Sequence, residues 1–190
     1  MIAKQLLALL LSVGAFASPL ALRSASTVLT DLSSISAHLS ILSTTVGNFD
    51  GTLTGAVSVQ QDEITLSDAL NKTVIDVTAS SAFGAADSTS VTNAVTGLES
   101  GILTVLDKII GKVGSTVSCE WSRNPTTGDD LKKSLFASAG VTSVVLSDLE
   151  TLQNLTDGLS TQLQQKVTSG DASTIASEAA QLDGSTSPVW

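Results

Sequence analysis

The chain has 190 residues, a formal net charge of -9, only 3 % aromatic residues and no tyrosine. An acidic chain without a basic cluster is unsuited to nucleic acid or anionic membrane surfaces, and one this poor in rings lacks the exposed aromatic platforms that carbohydrate-binding surfaces use. The single cysteine, Cys119, excludes an internal disulfide, so stability must come from packing Ala, Val, Leu and Ile.

Residues 1–17 read as a secretory signal peptide: Lys4 in the n-region, Leu6 to Leu11 as the apolar stretch, and Ala15-Phe16-Ala17 as a small-x-small cleavage site. The apolar run is too short to span a bilayer, which takes about 20 residues. Residues 18–23 follow as a short linker or pro-segment, with Arg23 a candidate second trimming point. Residues 24–183 read as one domain and 184–190 as a tail without the apolar stretch of a GPI signal. The expected location is secreted, outside the cell or in its wall.

The first helical segment runs from about Ser24 to Phe49. Val28, Leu32, Ile35, Leu39, Leu42, Val46 and Phe49 step 4-3-4-3 along one stripe, with Ser, Thr and Asp31 opposite. The second runs from about Thr52 to Ser80. Val59, Leu66, Leu70, Val74 and Val77 share one face, and Leu53, Val57, Ile64 and Ile75 form an adjacent stripe. So wide an apolar arc predicts several neighbours, with Asp62, Lys72 and Asp76 on a solvated opposite face.

The third segment, about Ser88 to Lys112, repeats the spacing with Val91, Val95, Leu98, Ile102, Val105 and Ile109. Gly97 and Gly101 sit one turn apart, and a helical glycine costs about 1 kcal/mol against Ala. They mark close helix approach or space left for something else. Residues 113–129, with Cys119, Trp121 and Asn124-Pro125, lack helical period and read as an exposed loop. A fourth helix is predicted from about Asp130 to Ser169, bent at Gly140 and Gly158, and a short fifth from Gly170 to Leu182. The expected fold class is all-α: an antiparallel helical bundle of four long helices plus a short fifth.

Catalytic chemistry is not written in the chain. His38, the single histidine, borders an apolar stripe, and no G-x-S-x-G, P-loop or dinucleotide fingerprint occurs. One His and one Cys cannot build a usual zinc site. Neither an enzyme, a metal nor a cofactor is expected. Two sequons, Asn71-Lys72-Thr73 and Asn154-Leu155-Thr156, are candidate glycan sites in an exported chain.

Several stretches together carry a resemblance: Thr27-Val28-Leu29-Thr30-Asp31-Leu32, Ser80-Ser81-Ala82-Phe83, Lys133-Ser134-Leu135-Phe136, Ala139-Gly140-Val141, Val145-Leu146-Ser147-Asp148-Leu149 and Thr156-Asp157-Gly158-Leu159. In this order they resemble the fungal hydrophobic surface-binding protein A family, which includes the cell wall galactomannoproteins, over most of residues 24–169. The resemblance implies a secreted helical bundle without enzymatic activity. Its implied partners are hydrophobic surfaces or long-chain fatty acids, and secreted polyester hydrolases. The chain departs from the family pattern after Ile109-Ile110-Gly111-Lys112, where about twenty residues intervene. These are a lineage-specific loop or a retained intron.

The leading expectation is a binder of hydrophobic surfaces or long-chain lipids, with an alkyl chain held between helices by Leu39, Leu42, Leu66, Leu70, Leu98, Ile102 and Leu149. Burial contributes roughly 0.8 kcal/mol per CH₂, enough without a polar anchor. The competing readings are a structural wall mannoprotein with no small ligand, and a surface adsorbent whose bundle opens on an oily interface.

Overall fold

A computed structural model describes residues 23–113, 136 and 139–186. The signal peptide, most of the linker, Cys119, Trp121 and Trp190 lie outside the described residues. Five helices form among them: α1 (Ala25–Asn48), α2 (Leu53–Thr78), α3 (Ala85–Val113), α4 (Thr142–Gln164) and α5 (Ser169–Thr186).

Local chemistry sets the boundaries. Ser24 caps α1 by accepting from the Thr27 N–H, and Thr52 caps α2 by accepting from the Gly55 N–H at 3.1 Å. Between them Asp50 accepts from the Thr52 N–H at 3.0 Å and its hydroxyl at 2.8 Å, while Gly51 takes a left-handed φ of 84°. The expected single fourth helix is interrupted. Gly140 adopts φ 74°, and the Val141 N–H bonds the Phe136 carbonyl at 3.0 Å. This 6→1 bond over a left-handed glycine is a Schellman stop, so α4 begins only at Thr142. Gly158 leaves α4 unbroken. The expected short fifth helix is 18 residues long.

The helices pack in a closed circuit. α1 packs on both α2 and α3, α2 on α4, and α5 on both α3 and α4. α3 and α4 are joined chiefly through α5. The α1 stripe supplies the centre: Val28, Leu32, Ile35, Leu39, Leu42 and Val46 are all buried.

Each end of the bundle is tied. At the far end Phe49 stacks on the fully buried Phe136, with centroids 4.6 Å apart. There Lys108 donates to the Ser43 carbonyl at 3.0 Å and Lys112 to the Phe49 carbonyl at 2.9 Å, so two α3 cations satisfy the carbonyl end of α1. At the near end Lys166 donates to the Ser80 carbonyl at 2.7 Å, and the Phe83 N–H to the Lys166 carbonyl at 2.7 Å. Ser88 bonds Asp171 and accepts from the Thr168 N–H at 2.8 Å, so α3 and α5 start side by side.

The polar face of α2 is not the solvated surface its composition suggested. Asp76 is 2 % exposed and Asp31 of α1 is 7 % exposed. Lys72 bridges them, bonding Asp31 and, at 2.8 Å, Asp76; Arg23 adds a 3.0 Å contact to Asp76. The hydrogen bonds that Lys72 donates, to Asp31 first, hold its ammonium above the usual range, and Lys72 holds the Asp76 carboxyl below its own against desolvation. Arg23, expected in a linker, is thereby anchored to the bundle. Asp62 accepts from Thr45 of α1 and is only half-buried.

Truncating the plug at the far end tests this packing. Phe136→Ala removes a fully buried ring and its stacking partner, and is expected to cost about 3–5 kcal/mol in chemical denaturation.

Candidate functional site

The seven residues expected to line a lipid site fall in one apolar cluster. Leu39 and Leu42 come from α1, Leu66 and Leu70 from α2, and Leu98 from α3; all five are buried. Ile102 of α3 and Leu149 of α4 pack against that cluster while keeping part of their surface open. Leu149 belongs to a row along α4, Val145, Leu149, Leu152 and Leu155, in which every member is only partly buried.

The cause lies in α5. At 1.5 Å per residue α3 is about 44 Å long and α5 about 27 Å. Ser88 stands level with Thr168 and Asp171, and Glu99 with Glu178, so α5 ends roughly 10 Å short of the end of α3. Among the described residues α4 is joined to α3 chiefly through α5, whose large aliphatics are Ile175 and Leu182. The apolar row of α4 beside it and just past its end is left half-covered.

Two concavities accompany this seam. A cleft of about 90 Å³ lies between α2 and α4, walled by Leu53, Ala56, Val57, Val144 and Val145 with Phe136 inside it. Gln60 and Asp148 also line it. A second groove of about 250 Å³ runs over α1 and α3, where Ser36, Ser40, Ser43, Ser100 and Thr104 surround Leu39 and Leu98. Gly97 and Gly101 line this groove. A methyl group at Gly97 would meet no atom within 4 Å, and one at Gly101 only Leu39 at 3.5 Å, an ordinary contact. Of the two readings of this glycine pair, space rather than enforced close approach is what the structure contains.

The second apolar stripe of α2, expected to be covered, faces outward. Leu53, Val57, Ile64 and Ile75 are 66 %, 58 %, 45 % and 58 % exposed. Among the described helices α2 packs chiefly on α1 and α4, and its wide arc exceeds what they cover. Val144 of α4 adds to the far end of this surface. The sequon asparagines are both exposed, Asn71 on α2 and Asn154 on α4.

Acidic side chains flank the α2–α4 contact. Burial pushes the Glu63 carboxyl above its ordinary range, against a hydrogen bond from Ser67, and Asp148 adds repulsion. Burial also raises Asp148. A hydrogen bond shared with Glu99 holds Glu178 of α5 high. Among the described residues no group of three His, Cys, Asp or Glu could hold a metal ion, and no helix is long and apolar enough to cross a membrane.

Comparison with known proteins places this architecture. The sequence model described as hydrophobic surface binding protein A matches residues 25–119. The crystal structure of AfMP4p in complex with palmitic acid is 39 % identical, with a TM-score of 0.74, and the likeness covers 86 % of this chain and 95 % of that one. No curated protein sequence matches the chain significantly.

The acidic groups generate a pH dependence. Raised values at Glu63 and Asp148 mean that the folded state takes up protons first as pH falls from neutral, so folding gains stability on mild acidification. Asp76 works oppositely: its contribution persists until pH falls below the ordinary 3.8 toward its lowered folded value. Glu63→Gln should therefore raise the melting temperature at neutral pH, by a few degrees in order of magnitude. The difference should shrink as pH falls through the raised folded value and vanish below pH 4.5, the ordinary value for this carboxyl. Thermal unfolding followed by circular dichroism across pH checks both.

Proposed function

The chain belongs to the hydrophobic surface binding protein A family, and from that membership we propose that it is an exported, non-enzymatic binder of long-chain lipids and apolar surfaces. The observation that carries the lipid reading is the half-covered aliphatic row of α4, a helix joined to α3 chiefly through α5 among the described residues. An alkyl chain enters between α3 and α4 at that seam, past Ile102 and Leu149, and lies against Leu39, Leu42, Leu66, Leu70 and Leu98. The seam widens as it binds, because α3 and α4 are linked through α5 rather than through a shared close-packed contact. AfMP4p, a relative of similar fold at 39 % identity, was crystallised with palmitic acid, which supports a ligand of this class.

Polar atoms are not needed for affinity here. Each CH₂ taken from water contributes about 0.8 kcal/mol, and the acidic net charge of the chain offers a carboxylate head no attraction, leaving that head at the seam mouth in water. Ile102→Ser combined with Leu149→Ser removes six apolar side-chain carbons from the path, partly offset by retained neighbours. Palmitate binding measured by native mass spectrometry should weaken ten- to a hundredfold, with helicity retained. Unchanged binding in the folded double variant would move the ligand elsewhere.

A second reading rests on a separate observation, the exposed α2 stripe. Four large aliphatic residues in line on one helix form an adhesive face for an apolar solid. Recruitment of polyester hydrolases, which the family resemblance implies, would take place on such an adsorbed layer. In the unglycosylated chain the triple variant Val57→Ser, Ile64→Ser, Ile75→Ser should adsorb several-fold less to polyester beads while binding palmitate as before. Equal adsorption of the variant and the parent would reject this face.

A further inference from the structure

Along the exposed stripe of α2 stands Asn71, seven residues after Ile64 and four before Ile75. At 100° per residue, Leu53, Val57, Ile64 and Ile75 fall within an arc of about 40°, and Asn71 falls at its edge in line with Leu53. Its side chain is exposed between two isoleucines that are 45 % and 58 % exposed. It also opens the sequon Asn71-Lys72-Thr73.

The other two residues of that sequon are committed to the fold. Thr73 is fully buried, with its hydroxyl donating to the Ala69 carbonyl at 2.7 Å. Lys72 is engaged by Asp31 and Asp76. A transferase that must read the threonine hydroxyl can do so only before α2 closes. The asparagine amide points outward once α2 has formed, so an attached glycan leaves the packing intact.

We propose that Asn71 carries an N-linked oligosaccharide that lies over Ile64 and Ile75 and so sets how strongly the α2 face adsorbs. This rests on the export and adsorption readings above and adds their regulation. In the transfer, the Asn71 amide nitrogen attacks the anomeric carbon of a lipid-diphosphate-linked oligosaccharide. The bond from that carbon to the diphosphate oxygen breaks, the lipid diphosphate leaves with the electron pair, and the amide nitrogen loses one proton. No oxidant or reductant is involved. The two isoleucines nearest the acceptor are covered, whereas Leu53 and Val57, about 21 Å or more away along the axis, stay open. Adhesion is therefore weakened rather than abolished.

The second sequon supplies the internal comparison. Asn154 is exposed on α4, where the strongly exposed large aliphatic is Val144, ten residues away. A glycan there covers polar surface.

The test uses the full chain secreted from a yeast host, with Asn71 occupancy read by peptide mapping. Wild type, Asn71→Gln and Asn154→Gln are compared on polyester beads, and palmitate binding by native mass spectrometry reports an intact bundle. Glutamine is a good helix former, so the first variant keeps α2. The expected result is an occupied Asn71, several-fold greater adsorption for Asn71→Gln, adsorption of Asn154→Gln equal to wild type, and the same palmitate binding in all three. An unoccupied Asn71 in the secreted chain, or equal adsorption with and without its glycan, overturns the proposal while leaving the adhesive face intact. Absence of adsorption by the unglycosylated chain rejects the adhesive face itself, and the proposal with it.

Discussion

Burial of one aliphatic stripe is the constraint on which the bundle depends. The single cysteine allows no internal cross-link, and the core holds few rings. α1 therefore sits between α2 and α3 and gives each a share of its stripe from Val28 to Val46, all of it buried. Branched aliphatics interlock well on such a face, but they offer no polar atoms to fix register. The buried carboxylates of Asp31 and Asp76, bridged by the exposed Lys72 and joined by Arg23, supply that at the near end of α1 and α2. Leaving Asp31 or Asp76 unpaired there would strand a buried carboxylate, so slippage between α1 and α2 is costly.

The same economy shapes the functional surfaces. A five-helix circuit built around α1 places its best packing there and its weakest on the opposite side, where α4 and α5 meet α3. The partly covered row of α4 is the result. α2, with neighbours on two sides only, carries more apolar surface than they can hide. The bundle thus has two separate shortfalls in coverage, one along the half-covered row of α4 and one on the outer face of α2.

Much of the fold was legible in the sequence because spacing reports a helix face directly. The 4-3-4-3 stripe of α1 maps onto the core residue by residue. What spacing does not report is what a face meets. Asp31, Lys72 and Asp76 look like solvated residues on a wheel, yet they pair across the α1–α2 contact. Leu53, Val57, Ile64 and Ile75 look like core, yet each keeps roughly half or more of its surface exposed. Gly140 stops a helix instead of bending one, which depends on a left-handed φ that a glycine permits but does not announce. The lining residues carry a deeper ambiguity: Leu66 or Leu98 in a filled core and the same residues beside an alkyl chain leave identical spacing. Ile102 and Leu149 stand apart only once their partial exposure in the packed bundle is known.

The order of the circuit has a consequence for how the chain is made. α5 follows every other helix in the chain, yet it is the piece that joins α3 to α4. As a chain emerges from N- to C-terminus, α1, α2 and α3 can associate early, with α4 settling on α2. The ring stays open until Ser169 and the residues after it arrive. In that interval the apolar row of α4 and the facing side of α3 are both uncovered, and a nascent chain in this state is prone to self-association. Among the described helices closure of the circuit therefore comes last, and it falls to the helix with only modest apolar surface of its own to drive it.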